Sequence, residues 1–236
     1  MDKEKIKKII DVYNKVEKGI DAEAQEDQSE RAYGGIIRAK KGDLVEHMAE
    51  ELINIAWSDL GGDQNRISFM HKKIRIPIKE NYVSKIRNEE IKRYIKSNIE
   101  DYCYKISVDR QVCIDNEFFM GIECKNYTEN AMMKRIMIDF YFLKILYPNL
   151  YCFLLQLESQ LGGDYSDLSK EVQLGSKSTH TIMSYFDNVD LKIITLLSGD
   201  RKVDQPIHKE DFFKELEEDS LEKAVKNFEL ILKEKL

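Results

Sequence analysis

Two β-rich runs flank a short polar turn near the middle of the chain, and this pattern constrains the fold more than any other. The runs cover residues 104–114 and 118–125, and the turn is Asp115-Asn116-Glu117. Such a pair of runs around a polar turn is typical of a β-hairpin. Two further apolar runs, 150–157 and 191–197, have the length of strands and predict a larger sheet. The run at 150–157 is too apolar for an edge strand.

Helical periodicity surrounds these strands, with apolar residues recurring at spacings of three and four. The turn-prone Tyr33-Gly34-Gly35 separates the first two helices, and Asp43 is the expected N-cap of the second. Residues 66–78 alternate loosely and predict extended structure. The predicted helices cover residues 3–19, 44–58, 81–101, 129–146, 208–217 and 219–235.

This order of elements predicts an α/β fold with one central mixed sheet, flanked by helices and extended by helices at both ends. A chain of 236 residues suits one domain with a substantial core. We expect residues 1–236 to form a single domain. Its parts are a helical N-terminal extension at 1–35, an α/β core with inserted segments at 36–200, and C-terminal helices at 201–236.

The distribution of apolar residues and cysteines favours a cytoplasmic protein. No apolar run approaches the roughly 18 residues that a membrane span needs. Four of the first five residues are charged, and this start lacks the apolar core of a secretory signal. The four cysteines lie in apolar stretches without CxxC spacing, which indicates reduced thiols. They are Cys103, Cys113, Cys124 and Cys152.

The formal net charge of −6 speaks mildly against a nucleic-acid partner, because phosphate contacts need Lys and Arg. The distribution of charge weakens that objection. Residues 65–96 hold ten basic and three acidic residues. A local basic surface is therefore compatible with an acidic total, although each single base is as well explained by a solvated helix face.

Three charged residues in and before the hairpin form the strongest candidate site. Side chains alternate between the two faces of a strand, so Glu123 and Lys125 share a face. Such charges are costly in a buried strand unless they are paired or bound to metal. Asp109, on the preceding strand, adds a second carboxylate. Two carboxylates and a lysine suit Mg²⁺-assisted phosphodiester hydrolysis; the alternative is an exposed Glu–Lys pair on an edge strand.

The register of the hairpin decides whether Asp109 and Glu123 can share one ion. A two-residue turn at Asp115-Asn116 would place Asp109 opposite Ile122, and so on the wrong face. A three-residue loop, or a β-bulge between residues 109 and 123, would place Asp109 opposite Glu123. We therefore expect an odd-length loop or a bulge. Asp115 itself lies about 26 Å from Glu123 along an extended strand and is excluded.

These residues resemble the motif of the PD-(D/E)XK nuclease superfamily: Asp109, thirteen intervening residues, then Glu123-Cys124-Lys125. The continuation from Asn126 to Arg135, NYTENAMMKR, resembles bacterial type II restriction endonucleases. The resemblance covers roughly residues 36–160 and implies a restriction-endonuclease-like core. One departure is Val108, which stands where the motif has proline.

The resemblance also implies roles for individual residues. Asp109, Glu123 and Lys125 would be catalytic, with Asp109 and Glu123 binding Mg²⁺ and Lys125 acting near the attacking water. The backbone carbonyl of Cys124 would be a further ligand, and Mn²⁺ would substitute for Mg²⁺. The helix at 44–58 matches the one that often adds an acid in this superfamily. Glu46 is the best positional match, with Glu50 behind it.

Polar residues beside the site and in the inserted segments are candidate DNA contacts. Those next to the catalytic strand have a solvated helix position as an equally good explanation. Base reading is expected from the segment 160–185 and from the basic stretch 66–96, where donors and acceptors are dense. The candidate contacts are Asn126, Tyr127, Asn130, Lys134, Arg135, Lys177, Ser178, Thr179 and His180.

The sequence thus favours a Mg²⁺-dependent endonuclease that recognises a specific duplex DNA sequence. The alternatives are a nuclease of repair or recombination, or an idle DNA-binding protein of the same fold. A homodimer is expected because cutting both strands of a symmetric site requires two active centres. The helix at 3–19 and the helices beyond 208 are the expected interface. A DNA methyltransferase would accompany a bacterial restriction enzyme without binding it.

Overall fold

The computed structural model describes residues 2–25, 30–162 and 175–236. Its helices and strands are interspersed along the chain, with short 3₁₀ turns at Ile99–Asp101, Glu210–Phe212 and Lys233–Lys235. The helices are α1 (Lys3–Gln25), α2 (Glu30–Asp59), α3 (Glu80–Ser84), α4 (Glu89–Ser97), α5 (Asn130–Leu146), α6 (Lys177–Ser184) and α7 (Glu218–Leu232). The strands are β1 (Ile67–Met70), β2 (Ile74–Pro77), β3 (Cys103–Ile106), β4 (Arg110–Ile114), β5 (Glu117–Glu129), β6 (Tyr151–Gln160) and β7 (Leu191–Thr195).

The main sheet is mixed, as predicted, and has the strand order β1-β4-β5-β6-β7. β4 runs antiparallel to both β1 and β5, whereas β5, β6 and β7 are parallel. A second, two-stranded antiparallel sheet contains β2 and β3. The predicted run 104–114 is therefore divided between two sheets. The five-stranded sheet confirms the α/β fold class with its central mixed sheet and flanking helices.

Two apolar clusters cover the two faces of the main sheet. On one face, α1, α2 and α7 pack with Ile122, Phe153 and Leu155. On the other face, the buried side of α5 packs with Val108 and Leu154. β6 contributes alternate residues to both clusters, since it is an interior parallel strand with no solvent-facing side. This burial confirms that 150–157 is not an edge strand.

The second helix differs from its prediction. α2 is one helix of 30 residues that runs through Gly34, Gly35 and Gly42, so the expected turn and the N-cap at Asp43 are both wrong. A glycine inside a helix costs about 1 kcal/mol relative to alanine. Burial of the apolar residues that follow, such as Leu44, Met48 and Leu52, offsets that cost. The expected division between residues 35 and 36 falls inside this helix.

Two other predicted helices are shorter than expected. The helix expected at 81–101 is broken into α3, α4 and a 3₁₀ turn. The break is fixed by Asn88, whose side chain accepts hydrogen bonds from the amides of Glu90 and Ile91 and so starts a new helix. The helix expected at 208–217 is wrong except for one 3₁₀ turn, Glu210–Phe212.

The structure bears on two further predictions, the absence of a membrane span and the state of the cysteines. Among the described residues, no helix is both long and apolar enough to cross a membrane. All four cysteines have free thiols, and three of them are buried. The expected reduced core thiols are confirmed for these three, while Cys103 is partly exposed.

Candidate active site

The hairpin between β4 and β5 combines a two-residue turn with a β-bulge. Asp115 and Asn116 have φ values of 53° and 66°, as the tight turns that suit twisted hairpins require at both central residues. The register then shifts, since Cys113 pairs with Phe118 but Val112 pairs with Met120, which leaves Phe119 as the extra residue.

The bulge corrects the register of the strand pair. Arg110 pairs with Ile122, so Asp109, one residue earlier, lies level with Glu123. The bulge that we expected as one of two solutions is therefore confirmed, and the three-residue loop is wrong. β5 lies between β4 and β6, which also excludes the alternative of an exposed pair on an edge strand.

The three charged residues predicted from the sequence meet at the Lys125 ammonium. Its Nζ lies 2.6 Å from Asp109 Oδ2 and 2.7 Å from Glu123 Oε2. It also donates to the backbone carbonyl of Cys124 at 3.0 Å. The Cys124 amide donates to Asp109 Oδ2 at 2.8 Å, which fixes that carboxylate against β5.

Burial tunes the charges of this cluster. The Glu123 side chain is only 6% exposed, and burial raises its pKa to about 7, a rise that Lys125 opposes and Asp109 reinforces. Burial alone would lower the pKa of Lys125, but the charges of Glu123 and Asp109 raise it above its usual value. Lys125 is therefore a stable cation, whereas Glu123 is a carboxylate that gains from a nearby positive charge.

The oxygens around Lys125 fit a divalent cation. Two carboxylates and one carbonyl already converge on a single positive charge. Burial raises the pKa of the Cys124 thiol well above its usual value, so Cys124 offers its carbonyl oxygen and not a thiolate. Within the described ranges there is no group of three or more His, Cys, Asp or Glu side chains that could hold a metal. A small oxygen set of this kind suits Mg²⁺, which keeps several of its waters.

The Glu46 carboxylate is already engaged by another side chain, Arg110. The carboxylate is ion-paired with Arg110 Nη1, and Glu50 pairs with Arg110 Nε at 2.5 Å. Arg110 Nη1 also donates to the Asp109 carbonyl at 2.9 Å, and His71 Nδ1 lies 3.1 Å from the same oxygen. Because Arg110 engages both Glu46 and Glu50, its geometry favours a role in holding Asp109 and does not support Glu46 as a metal ligand.

The candidate DNA contacts next to the catalytic strand have different surroundings. Lys134 and Arg135 are exposed near the start of α5. Asn126 and Tyr127 are partly buried, and the Arg201 guanidinium stacks 3.7 Å above the Tyr127 ring. Lys134 and Arg135 are thus open to a ligand, whereas Tyr127 already has a cationic partner.

Asn130 and Thr179 connect α5 to α6. The Thr179 hydroxyl donates to Asn130 Oδ1 at 2.7 Å and is fully buried. Asn130 Nδ2 donates to Ser176 Oγ at 3.3 Å. The position of Thr179 thus does not support a DNA contact, because its hydroxyl is satisfied inside the protein.

The exposed side chains of α6 are the remaining candidates from the inserted segment. Lys177, Ser178 and His180 are exposed in the first turn of this helix. The part of the expected recognition segment at 163–174 lies outside the described residues. The structure therefore leaves Lys177, Ser178 and His180 accessible while burying Thr179.

Two residues near the site were missed by sequence reasoning. Arg110 was missed because its partners, Glu46 and Glu50 on α2, lie about 60 residues earlier in the sequence. Asp139, partly buried on α5 between Ile136 and Phe140, contributes negative charge that raises the pKa of Glu123. An acid inside the apolar stripe of a helix was the available signal for Asp139, because such a position is costly without a polar neighbour.

Two acids and a lysine that converge on an interior strand of a helix-flanked mixed sheet define a nuclease of the restriction-endonuclease type. Over 225 residues the chain is 52% identical to the type II restriction enzyme DdeI from Desulfomicrobium norvegicum (strain DSM 1741 / NCIMB 8310), an alignment that covers 94% of this chain and 93% of that protein. The chain therefore belongs to the family of type II restriction enzymes. No family model matches it, and no solved structure matches it significantly.

Proposed function

We propose that this protein hydrolyses phosphodiester bonds of duplex DNA at a specific sequence, with Mg²⁺ as its cofactor and Mn²⁺ as a substitute. The observation that carries the proposal is the convergence of Asp109, Glu123 and the Cys124 carbonyl on one cationic point. The relative DdeI is a type II restriction enzyme, which favours sequence-specific cutting over a general repair or recombination nuclease. An intact acid–acid–lysine set speaks against an idle DNA-binding protein, because buried charges without a task are costly.

The residues of the cluster divide the chemical work. Asp109, Glu123 and the Cys124 carbonyl would hold the ion, which offsets negative charge on the phosphate as the new bond forms. The Lys125 ammonium would orient the attacking water by donating a hydrogen bond to it. The Cys124 amide holds the Asp109 carboxylate, and Arg110 holds the Asp109 carbonyl. These contacts keep the acids in place before DNA binds, which limits the reorganisation that the reaction needs.

Metal-dependent cutting of plasmid DNA tests the proposed function. The purified protein is expected to convert a plasmid of known sequence into discrete fragments with Mg²⁺ or Mn²⁺, and excess chelator is expected to stop the reaction. Fragment ends should map to one short sequence. A smear of random fragments would favour the repair or recombination reading, and full cutting in chelator would contradict the metal site.

A homodimer remains part of the proposal, since a symmetric duplex site requires two active centres related by a twofold axis. The helices first expected at the dimer interface, at 3–19 and beyond 208, instead bury much of their apolar surface within one protomer. Ile6, Ile9 and Tyr13 of α1 are buried in one cluster with Phe228 and Leu232 of α7. Light scattering is expected to give twice the chain mass at micromolar concentration, with or without DNA. A monomer under both conditions would contradict the dimer.

Recognition is assigned to the exposed residues of α6 and to the basic segment around α3 and α4. Lys177→Ala and His180→Ala are expected to change cutting preference among related sequences. Lys96→Ala, an exposed cation on α4, is expected to weaken binding to all duplexes about equally and to reduce the salt dependence of binding. Cutting profiles over a library of variant sites, with binding measured at several salt concentrations, separate the two effects. Unchanged profiles for both α6 variants would place recognition elsewhere.

The cellular setting follows from the same proposal. Four free thiols are what a reducing cytoplasm maintains, so we place the protein in the bacterial cytoplasm. A DNA methyltransferase of the same specificity would protect the host genome without forming a complex with this protein.

A further inference from the structure

Gln156 is a buried polar residue in the strand next to Lys125. It is 0% exposed, and its Nε2 donates to Thr195 Oγ1 at 2.9 Å. Its Oε1 is buried without a hydrogen-bond partner among the described residues. A buried amide oxygen without a partner costs free energy, so the position needs a reason.

The register of the parallel strands supplies one. Lys125 pairs with Gln156, and Gln156 pairs with Thr195, so the three polar residues form one row across β5, β6 and β7. Paired residues on neighbouring strands point to the same face, with strands about 4.8 Å apart. Thr195 accepts a hydrogen bond from the amide nitrogen of Gln156, which leaves the amide oxygen for Lys125. An amide oxygen is a hydrogen-bond acceptor and therefore suits an ammonium neighbour.

The Lys125 ammonium has three N–H donors, and the structure shows where all three go. They contact Asp109 Oδ2, Glu123 Oε2 and the Cys124 carbonyl. These are the same three oxygens that are proposed to hold the divalent ion. When they do so, the ammonium loses its acceptors. The attacking water replaces one of them, and the unpartnered Oε1 of Gln156 on the neighbouring strand offers a second acceptor.

We propose that Gln156 is a positioning residue for Lys125. Its Oε1 accepts a hydrogen bond from the Lys125 ammonium once the two carboxylates are engaged by a cation. The inference rests on the proposed function and deepens it. Lys125 then has two arrangements: one between the acids, and one between Gln156 and the water. Thr195 keeps the Gln156 amide oriented for the second arrangement.

Asp139 is the competing acceptor. It is partly buried on α5, and burial raises its pKa, while the positive charges of Arg135 and Lys125 oppose that rise. Arg135, four residues earlier on the same helix, shares the Asp139 carboxylate electrostatically. Gln156 differs from Asp139 in being neutral and fully buried, with an oxygen that has no partner among the described residues.

Metal binding to the DNA-free protein tests the inference without using activity. Calorimetric titration with Mn²⁺ is expected to show about tenfold weaker binding for Gln156→Met, because the ammonium then leaves the carboxylates without a replacement hydrogen bond. Thr195→Val, which removes only the tether, is expected to weaken binding about threefold and serves if Gln156→Met does not fold. In a Lys125→Met background, Gln156→Met should change the affinity less than twofold.

The control for this experiment is Thr128→Val. Thr128 is also fully buried on β5 with a hydroxyl that has no partner among the described residues, but it pairs with Ser159 and lies outside the Lys125 row. Its Mn²⁺ affinity and cutting rate are expected to match those of the unmodified protein. Asp139→Asn is expected to alter Mn²⁺ affinity less than Gln156→Met, and a larger effect would transfer the role to Asp139.

The cleavage reaction provides a second readout. Gln156→Met is expected to lower kcat about tenfold while KM for DNA stays within twofold, because Gln156 is fully buried and would act on Lys125 without touching the DNA. Equal Mn²⁺ affinity for Gln156→Met and the unmodified protein would overturn the inference and leave the proposed function intact. No Mn²⁺ binding by the unmodified protein would instead overturn the proposed function.

Discussion

Replacing Lys125 with alanine is expected to reduce cleavage of duplex DNA at least about 1,000-fold, a change of about 4 kcal/mol in the barrier. The ammonium is the only group within 3 Å of both carboxylates among the contacts of the described residues. Its loss removes the donor that orients the attacking water and leaves two acids facing each other. Initial cutting rates on a single-site plasmid with Mg²⁺ measure the effect.

Asp109→Asn is expected to give a loss of similar size, because one carboxylate cannot hold the ion as firmly as two. Binding of uncut duplex in Ca²⁺ should stay within about threefold for both variants, since neither residue belongs to α6 or to the basic segment around α3 and α4, to which recognition is assigned. The control is Lys192→Ala, which also removes a cation from a strand of the main sheet, where Lys192 pairs with Asp190 at 2.9 Å. Near-normal cutting by Lys125→Ala or Asp109→Asn would contradict the assignment.

The convergence of Asp109, Glu123 and Lys125 was predictable because it depends on the two-residue repeat of a β-strand. Once β5 is a strand, Glu123 and Lys125 must share a face, and a shared metal site requires Asp109 to reach that face. This requirement predicts either an odd-length loop or a β-bulge in the hairpin, but it does not decide between the two. That choice depends on Asp115 and Asn116, which adopt positive φ and so close the turn with two residues.

The partners of the charged side chains were not predictable, because they are set by contacts far apart in sequence. Arg110 and Glu46 form an ion pair although they are 64 residues apart in the sequence. No local sequence pattern indicates that Glu46, the acid expected to bind the metal, is paired in this way. α2 likewise remains a helix through Gly34, Gly35 and Gly42 because of packing that follows them. Propensity favours a turn there, and tertiary burial overrides it.

Replacing Lys41 with methionine is expected to destabilise the fold by about 3–5 kcal/mol. Lys41 on α2 pairs with Glu17 on α1 at 2.5 Å, and the two side chains are 7% and 0% exposed. Removing one partner leaves a buried charge without compensation, which costs more than the intact pair contributes. For a chain of this size the melting temperature should fall by about 10 °C. Chemical denaturation of the metal-free protein measures the change.

The matched control and the rescue separate charge from packing. Lys8→Met removes the same type of side chain from α1, the helix that carries Glu17, but Lys8 and its partner Glu4 are 70% and 81% exposed, so the expected change is below about 0.5 kcal/mol. Glu17→Leu in the Lys41→Met background removes the remaining charge and is expected to restore most of the stability, since an apolar pair of similar volume can replace a buried ion pair.

The pH dependence of this variant gives the sharpest test. Burial raises the pKa of Glu17, and Lys41 opposes that rise, so Lys41→Met should raise the pKa further. A folded-state carboxyl pKa above the unfolded value means that the folded protein binds more protons, and stability then falls as pH increases. The loss in Lys41→Met is therefore expected to be larger at pH 8 than at pH 5, where Glu17 takes up a proton. A loss that is equal at both pH values, or that Glu17→Leu fails to reverse, would show that the Lys41 side chain acts through packing and not through its charge.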